Sequence, residues 1–410
     1  MKIIKREKYL SKIRSFYDSD YIKAITGIRR CGKSILMQQI IEEIKDRGIN
    51  ESHIIILNLE GKSGEGITKR KKLENRLDKL IKDDSKYYIF IDEVQHIKNF
   101  EDAIASVRIS YNCSLFVTGS NSKLLQGKLH DRLTGRAKEF PMAPFTYFEV
   151  LEFKKANEIP IMDNEFFDFL KWGGMPQRFE ETDEQGVVDY YQGLYHSIIE
   201  KDVYGTHKKI NKVSFENVSN YIIMTSGRLF SATSIAKYLY NLVDEKQLKS
   251  TAVTIANYQK YITECFLVSE CKPYYISGKK SLNGTKKIYA IDQGLKNSFS
   301  NTIDTDDSFG LENVIYNELK SRGYEVRSGV LRNGEVDFVA IKGKKKCFIQ
   351  VAYYLYEQKT IEREYGAFKN IKDASPKYVL SLDNVDTSRN GITHINIEDF
   401  LTGRVDLNIT

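Results

Sequence analysis

The sequence predicts an α/β fold: a parallel sheet with helices on both faces, then a helical unit, then a second and smaller α/β unit. Three observations carry that prediction. Up to about residue 150, short apolar segments of strand length alternate with helical ones, the pattern of a sheet buried on both faces. At the first strand-to-helix turn stands AITGIRRCGKS, Ala24 to Ser34, in which Gly27, four residues, then Gly32, Lys33 and Ser34 reproduce GxxxxGK[ST]. Near the end, a helix from Leu311 to Arg322 precedes three strand-like stretches, Tyr324 to Ser328, Glu335 to Ile341 and Lys346 to Ala352.

Each residue of the first turn answers a need of a nucleotide's phosphates. Tyr21 to Thr26 reads as the strand, and Ile35 to Gly48 as a helix whose Leu36, Ile40 and Ile44 share one face. Between them Gly27 and Gly32 let the backbone bend and approach closely, and the helix N-terminus offers free N–H groups and a positive dipole end. Lys33 adds a point charge near the terminal phosphates, and Ser34 can ligate Mg2+. Ile28, Arg29, Arg30, Cys31 and Ile35 complete the nucleotide-binding stretch, Cys31 as a tolerated small side chain.

At 410 residues the chain exceeds one ordinary core, since domains run to about 100–200 residues. The expected division is a P-loop core over 1–150, a helical linker over 151–204, a winged unit over 205–295 and a last domain over 296–410. Hydrophobic residues at 41% suffice for folding, and 29% charged residues with only 6 Pro argue against long disordered tracts. The 5 cysteines form no CxxC pair, so neither a zinc site nor a disulfide framework is indicated. The start, MKIIKREKYL, does not resemble a signal peptide and no apolar run nears the ~18 residues of a membrane span, so a cytoplasmic protein without membrane partners is expected. Net charge is +7, and residues 205–290 alone hold 13 Lys and Arg against 5 Asp and Glu, which makes nucleic acid a candidate partner.

Further strands are expected at His53 to Leu59, Tyr87 to Asp92, Ser114 to Thr118 and Ala137 to Met142. The third strand overall ends in Ile91-Asp92-Glu93. After a phosphate loop, the first carboxylate at such a tip serves Mg2+ and the second polarises the attacking water, which assigns Asp92 to the metal and Glu93 to catalysis. The next strand ends in Thr118-Gly119-Ser120-Asn121, at the edge where ligands of open sheets collect. There Ser120 or Asn121 either senses the terminal phosphate or caps a helix at Lys123 to Leu125. Arg136, with Arg132 in reserve, is the candidate arginine offered to a neighbouring subunit's nucleotide, an effect worth ~10³–10⁵ in rate.

Residues 143–204 read as helical around the turn Trp172-Gly173-Gly174-Met175-Pro176. Helices near Phe215 to Ser226, Ser231 to Leu239 and Thr251 to Cys265, then a hairpin Tyr274 to Ile291, make a winged helix-turn-helix. Its phosphate contacts would be Lys279, Lys280, Lys286 and Lys287. In the last segment Glu312, then Glu335 and Asp337, then Gln350 follow the layout of a restriction-endonuclease-like metal site, but the lysine such a site uses is Ala352 here, so the site reads as degenerate.

These stretches together resemble an AAA-like P-loop ATPase family of bacteria and archaea with a C-terminal domain of unknown function. The resemblance rests on ITGIRRCGKS, YYIFIDEVQHI, LFVTGSNSKLL, LTGRAKEFPMAPFTYFEVL, WGGMP, the KDV of Lys201 to Val203, and ENVIYNELKSRGYEV, GEVDFVA and FIQVAYYL. It implies a P-loop NTPase sheet of the additional-strand type, a winged helix and a degenerate restriction-endonuclease-like α/β domain. It also implies ATP rather than another nucleotide, the roles given above to Lys33, Ser34, Asp92 and Glu93, and a Gly-Arg pair at Arg136. The expected function is an Mg2+-dependent ATPase, a possible homo-oligomer, whose nucleotide state rearranges the downstream domains on or near DNA. Two alternatives stay open: a slow ATP-dependent switch that binds protein partners, and an ATP-regulated nuclease, against which Ala352 speaks.

Overall fold

The computed structural model describes residues 1–122, 135–242, 251–276, 285–299 and 308–409. The expected cap helix at Lys123, the reserve Arg132, and Lys279 and Lys280 at the hairpin tip lie outside these residues. The chain divides into two compact units, one of Ile3–Ala143 with Glu264–Phe266, the other of Met1–Lys2, Pro144–Thr263 and Leu267–Thr410. The sheet unit thus ends at Ala143, and the three segments expected downstream share one compact unit. Among the described residues no helix is long and apolar enough to cross a membrane.

The first unit is built on β1 (Ile22–Thr26), β2 (Ile54–Asn58), β3 (Tyr87–Asp92), β4 (Cys113–Gly119) and β5 (Ala137–Pro141), each within about a residue of expectation at either end. They pair in the order β2-β3-β4-β1-β5, every pair parallel. One strand, β4, therefore stands between β1, which feeds the phosphate loop, and β3, which carries the acidic pair. The register aligns the tips: Thr26 opposes Gly119, and Asn58 opposes Asp92. All of β3 is buried, which is why it reads as a continuous apolar run rather than an alternating one. The helix Lys33–Asp46 buries Leu36, Ile40 and Ile44 completely, and each such side chain contributes roughly 1.5–3 kcal/mol. Along the sheet, Ile55, Leu57, Ile89 and Ile91 pack with Leu73, Leu77, Ile104 and Val107 of the helices Arg70–Leu80 and Phe100–Ser110.

The second unit opens with helices Tyr147–Ala156, Glu165–Trp172 and Glu184–Ile198. Thr146 and Glu149 cap the first reciprocally. The third runs on into a π-helical stretch, Ile199–Tyr204, which holds Lys201, Asp202 and Val203. The Trp172–Pro176 turn is a docking point. Asp292 accepts the Gly174 N–H at 2.7 Å and the Tyr191 hydroxyl at 2.7 Å. Gly173 adopts φ +65°, and a Cβ there would lie 2.1 Å from the Asp292 carboxylate, so no larger residue fits.

Helices Lys212–Met224, Ala232–Leu242 and Ala252–Glu264 follow, with a small antiparallel sheet of β6 (Leu229–Phe230), β7 (Val268–Cys271) and β9 (Lys286–Ala290) in the order β6-β9-β7. The expected hairpin is corrected here. Its first strand is β7, not one at Tyr274; β8 (Pro273–Tyr275) leaves this sheet and pairs parallel with β10 (Glu325–Val330) of another. Pro273 has no N–H to donate to a ladder, and it opens an edge strand, where proline is tolerated. That second sheet holds β10 (Glu325–Val330), β11 (Glu335–Lys342), β12 (Lys345–Val351), β13 (Lys377–Ser381) and β14 (Ile392–Asn396), in the order β14-β13-β12-β11-β10-β8. Helix Ser308–Ser321 precedes it in the chain.

Candidate functional site

The phosphate loop takes the shape its glycines permit. Gly27 has φ +151° and a Cβ there would meet the Met142 carbonyl oxygen at 2.2 Å, while Gly32 has φ +100° at the start of the helix. Lys33 is buried, and its ammonium donates to the Gly27 and Ile28 carbonyls at 3.0 Å each. The same ammonium lies 3.7 Å from Glu93 Oε1. Ser34, exposed on the first turn, donates its hydroxyl to Asp92 Oδ2 at 2.7 Å. Ile28 and Cys31 pack inward, burial pushing the Cys31 thiol up, and Arg29 turns to Glu60 at 3.1 Å.

The tips of β3 and β4 complete the site. Asp92 and Glu93 are both buried. The Thr118 hydroxyl donates to Asp92 Oδ1 and accepts the Glu93 N–H at 2.9 Å, so one side chain fixes both acidic residues. Glu93 sits at φ +56°, a left-handed conformation that is unfavourable for a side chain of its size and that clusters at active sites. Gln95 donates its amide to Glu93 Oε2 and to Ser120 Oγ, the latter at 3.0 Å. Of the two candidates beyond the β4 tip, Ser120 is joined to Glu93 through Gln95. Behind the loop, buried Arg6 donates to the Cys31 carbonyl at 3.3 Å and the Ala143 carbonyl at 3.2 Å, pinning the lead-in segment against the loop.

Thr118, Gln95 and Arg6 received no role from the sequence. Thr118 and Gln95 each stand within two residues of an assigned position, at strand ends, which is the signal that could have found them. Arg6 gave no signal, because its partners are backbone carbonyls far along the chain.

Several expected site residues stand elsewhere. Arg136 is exposed and immediately precedes β5; its carbonyl accepts the Ile22 N–H at the start of β1. It thus occupies the sheet edge opposite the phosphate loop of its own chain, a strand of 5 residues or roughly 13–17 Å away. Lys286, expected as a phosphate contact, bonds to Glu270 and to Gln259, at 2.5 and 2.9 Å. The same expectation for Lys287 is corrected. It is buried, 3.2 Å from Glu312 and 3.4 Å from Glu335, and although burial opposes its charge, Glu312, Asp337 and Glu335 together raise its pKa.

Glu312, Asp337 and Gln350 do come together. Asp337 Oδ2 accepts the Val351 N–H at 2.8 Å, and Gln350 Oε1 faces the Asp337 N–H at 3.3 Å. Burial raises the pKa of both Glu312 and Asp337. Among the described residues no group of three or more His, Cys, Asp and Glu is placed to hold a metal ion. Ala352, buried, brings no amine to the cluster, and the cation there is Lys287.

Known proteins resemble this chain over most of its length. Residues 19–151 match the family described as an AAA domain, and residues 163–306 match a domain of unknown function, DUF8612. An uncharacterized protein of Haemophilus influenzae is 28% identical over 402 residues, 97% of this chain and 98% of the relative. Uncharacterized protein MJ1544 of Methanocaldococcus jannaschii is 30% identical over 378 residues, 89% of this chain and 80% of the relative. Among solved structures, the Aeropyrum pernix ORC1 protein in complex with DNA aligns at 13% identity and TM-score 0.34, over 73% of this chain and 93% of that one. AMPPCP-bound DnaA from Aquifex aeolicus aligns at 13% identity and TM-score 0.31, over 64% and 90%. Neither structural likeness is close enough to inform the site.

Proposed function

Since the chain belongs to one family with MJ1544 and carries an AAA domain at residues 19–151, we propose that it is an Mg2+-dependent ATPase whose nucleotide state rearranges its downstream domains on or near DNA. The observation that carries the proposal is the convergence of Lys33, Ser34, Asp92 and Glu93 at one end of the sheet. Ser34 and Asp92 offer hard oxygen atoms 2.7 Å apart, which suits them to Mg2+, and they would hold it. A bound Mg2+ neutralises phosphate charge.

The chain's own groups do the rest. Lys33 exchanges its carbonyl partners for phosphate oxygens, while the N–H groups of the helix start take the remaining charge. Glu93 accepts a proton from water as the water oxygen bonds to the terminal phosphorus and the bond to ADP breaks. Arg136, too far from its own phosphate loop, acts on the nucleotide of a neighbouring copy, which makes a homo-oligomer part of the proposal.

The DNA component rests on three helices and a small antiparallel sheet in winged-helix order, together with the positive surplus of residues 205–290. With Lys286 and Lys287 engaged, phosphate contacts fall to Lys279 and Lys280. One observation favours the second reading, a switch that binds protein. The outer face of helix Ala252–Glu264 exposes Val253, Ala256 and Asn257 with Lys260 as its one cation, a poor match to a phosphate backbone. Strand cleavage by the Glu312 cluster is not part of the proposal, because Lys287 already engages Glu312.

The experiment is phosphate release from ATP and Mg2+, with and without single- and double-stranded DNA, beside Glu93→Gln. Turnover stimulated by DNA and absent from the variant supports the DNA-acting ATPase. Turnover indifferent to DNA supports the switch, and turnover equal in wild type and variant refutes the role of Glu93.

A further inference from the structure

Gln95 lies in the short turn Val94–His96 directly after Glu93, and we infer that it holds the attacking water of ATP hydrolysis jointly with Glu93. The inference rests on the ATPase reading above and adds to it a positioning residue that the P-loop pattern does not supply.

Three observations converge. First, the Gln95 amide nitrogen donates to Glu93 Oε2 and, at 3.0 Å, to Ser120 Oγ. An ionised carboxylate oxygen only accepts, so the amide nitrogen is the atom that meets Glu93 Oε2 and the amide oxygen takes the other position. Second, that oxygen, Oε1, is buried and has no hydrogen-bond partner among the described residues. Buried acceptors are nearly always met by a donor, so an unmet one beside a catalytic carboxylate marks the place of a donor in the working state. Third, three neighbouring donors are already committed. Thr118 gives its hydroxyl to Asp92, Ser34 gives its own to Asp92, and Lys33 faces Glu93 from the phosphate loop.

A donor suited to that place is small and mobile. Water is such a donor, with one O–H directed to Glu93 and the other to Gln95 Oε1. Both protons are then held by acceptors, which leaves an oxygen lone pair free to point at the terminal phosphorus. As the water oxygen bonds to phosphorus, the bond to the ADP oxygen breaks with its electron pair, and one water proton passes to Glu93. Gln95 gains and loses nothing; it fixes the direction of approach. The link from Gln95 to Ser120 ties the same amide to the β4 tip, so the position of the water depends on two adjacent strand ends at once.

The test is steady-state phosphate release by the full chain with Mg2+ and ATP, for wild type, Gln95→Leu, Gln95→Asn, Glu93→Gln and the double variant Glu93→Gln/Gln95→Leu. Equilibrium binding of a fluorescent ATP analogue and the thermal midpoint are read for each. Gln95→Leu should lower kcat by about 10- to 100-fold, with ATP affinity and KM within about twofold of wild type. Gln95→Asn, whose amide is one methylene too short, should lose kcat in the same direction. Because both residues act on one water, the double variant should be no slower than Glu93→Gln alone. An unchanged kcat in Gln95→Leu beside an active wild type overturns this inference alone. Loss of ATP affinity in proportion to kcat overturns it too, since that marks a phosphate contact. A wild type that binds ATP and releases no phosphate removes the ATPase reading and this inference with it.

Discussion

Replacing Thr118 by Val tests whether one hydroxyl organises the acidic pair. The substitution keeps the shape of a fully buried side chain, so no cavity opens and packing stays constant. Two hydrogen bonds go. The bond donated to Asp92 Oδ1 is made to a carboxylate, worth about 1.5–3 kcal/mol, and the Glu93 N–H loses its acceptor inside the protein, at about 1–3 kcal/mol. Asp92 keeps Ser34 on its other oxygen, so the two losses do not add fully, and a net destabilisation of about 2–4 kcal/mol is expected. With Asp92 held at one oxygen instead of two and the Glu93 backbone released from φ +56°, kcat should fall by about 10- to 100-fold. Urea denaturation gives the first number and phosphate release the second. Thr118→Ser, which keeps the hydroxyl and loses only a methyl, should stay within a few-fold of wild type in activity. If Val and Ser prove equivalent, the hydroxyl does not organise the site, and the geometry of the acidic pair must come from the β3 backbone alone.

Three further outcomes are expected. Lys23 is fully buried on β1, and desolvation lowers its amine from 10.5 to about 7, so between those values the unfolded chain binds a proton that the folded chain does not, and stability rises with pH. Lys23→Met lacks that rise; its gain over wild type, roughly 3–5 kcal/mol at pH 7 and below, should shrink toward pH 10 in urea curves taken at pH 6.5 and 9.5. Lys287→Met strands Glu312 in the interior and should cost about 3–5 kcal/mol, most of it regained in the double variant Lys287→Met/Glu312→Gln, as a double-mutant cycle by denaturation would show. Gly173→Ala drives a Cβ to 2.1 Å from Asp292 at a positive φ and should lower stability by about 2–4 kcal/mol while ATP affinity, read by fluorescent-analogue binding, stays within about twofold.

What the sequence disclosed and what it hid divide along physical lines. The strands of the first unit were legible because a sheet covered on both faces needs unbroken apolar runs, and the phosphate loop because only glycine tolerates the close approach at Gly27. Lys286 and Lys287 misled for a simple reason: neighbours on a strand point to opposite faces. On β9 one goes to Glu270 and the other inward to Glu312, so a basic pair that looks like a phosphate clamp is two separate ion pairs. The pleat was available to sequence reasoning; the partners were not, because Glu312 enters from a later helix. The strand switch at Pro273 was hidden likewise, since nothing local to Tyr274 announces β10 as its partner. Arg136 could have been placed from topology alone. A residue that enters one strand of a parallel sheet lies at the edge opposite the loop leaving its neighbour.

In the ATPase proposed above, binding and chemistry are coupled through shared partners. Lys33 and Glu93 face each other at 3.7 Å, and the Ser34 hydroxyl rests on Asp92, so the groups proposed for phosphate, water and metal are partners of one another. A nucleotide that drew Lys33 onto its phosphates would remove the cation from Glu93 and leave that carboxylate with Gln95. On the function proposed above, the carboxylate that accepts the proton is thereby released by the event that delivers the substrate. Such an exchange works only if phosphate competes well with two carbonyls and a carboxylate for one ammonium, and N–H groups at a helix start favour phosphate in that competition. A loop that lost its shape, as with any side chain at Gly27, would keep Lys33 paired to Glu93 and stay inactive even with its acidic residues intact.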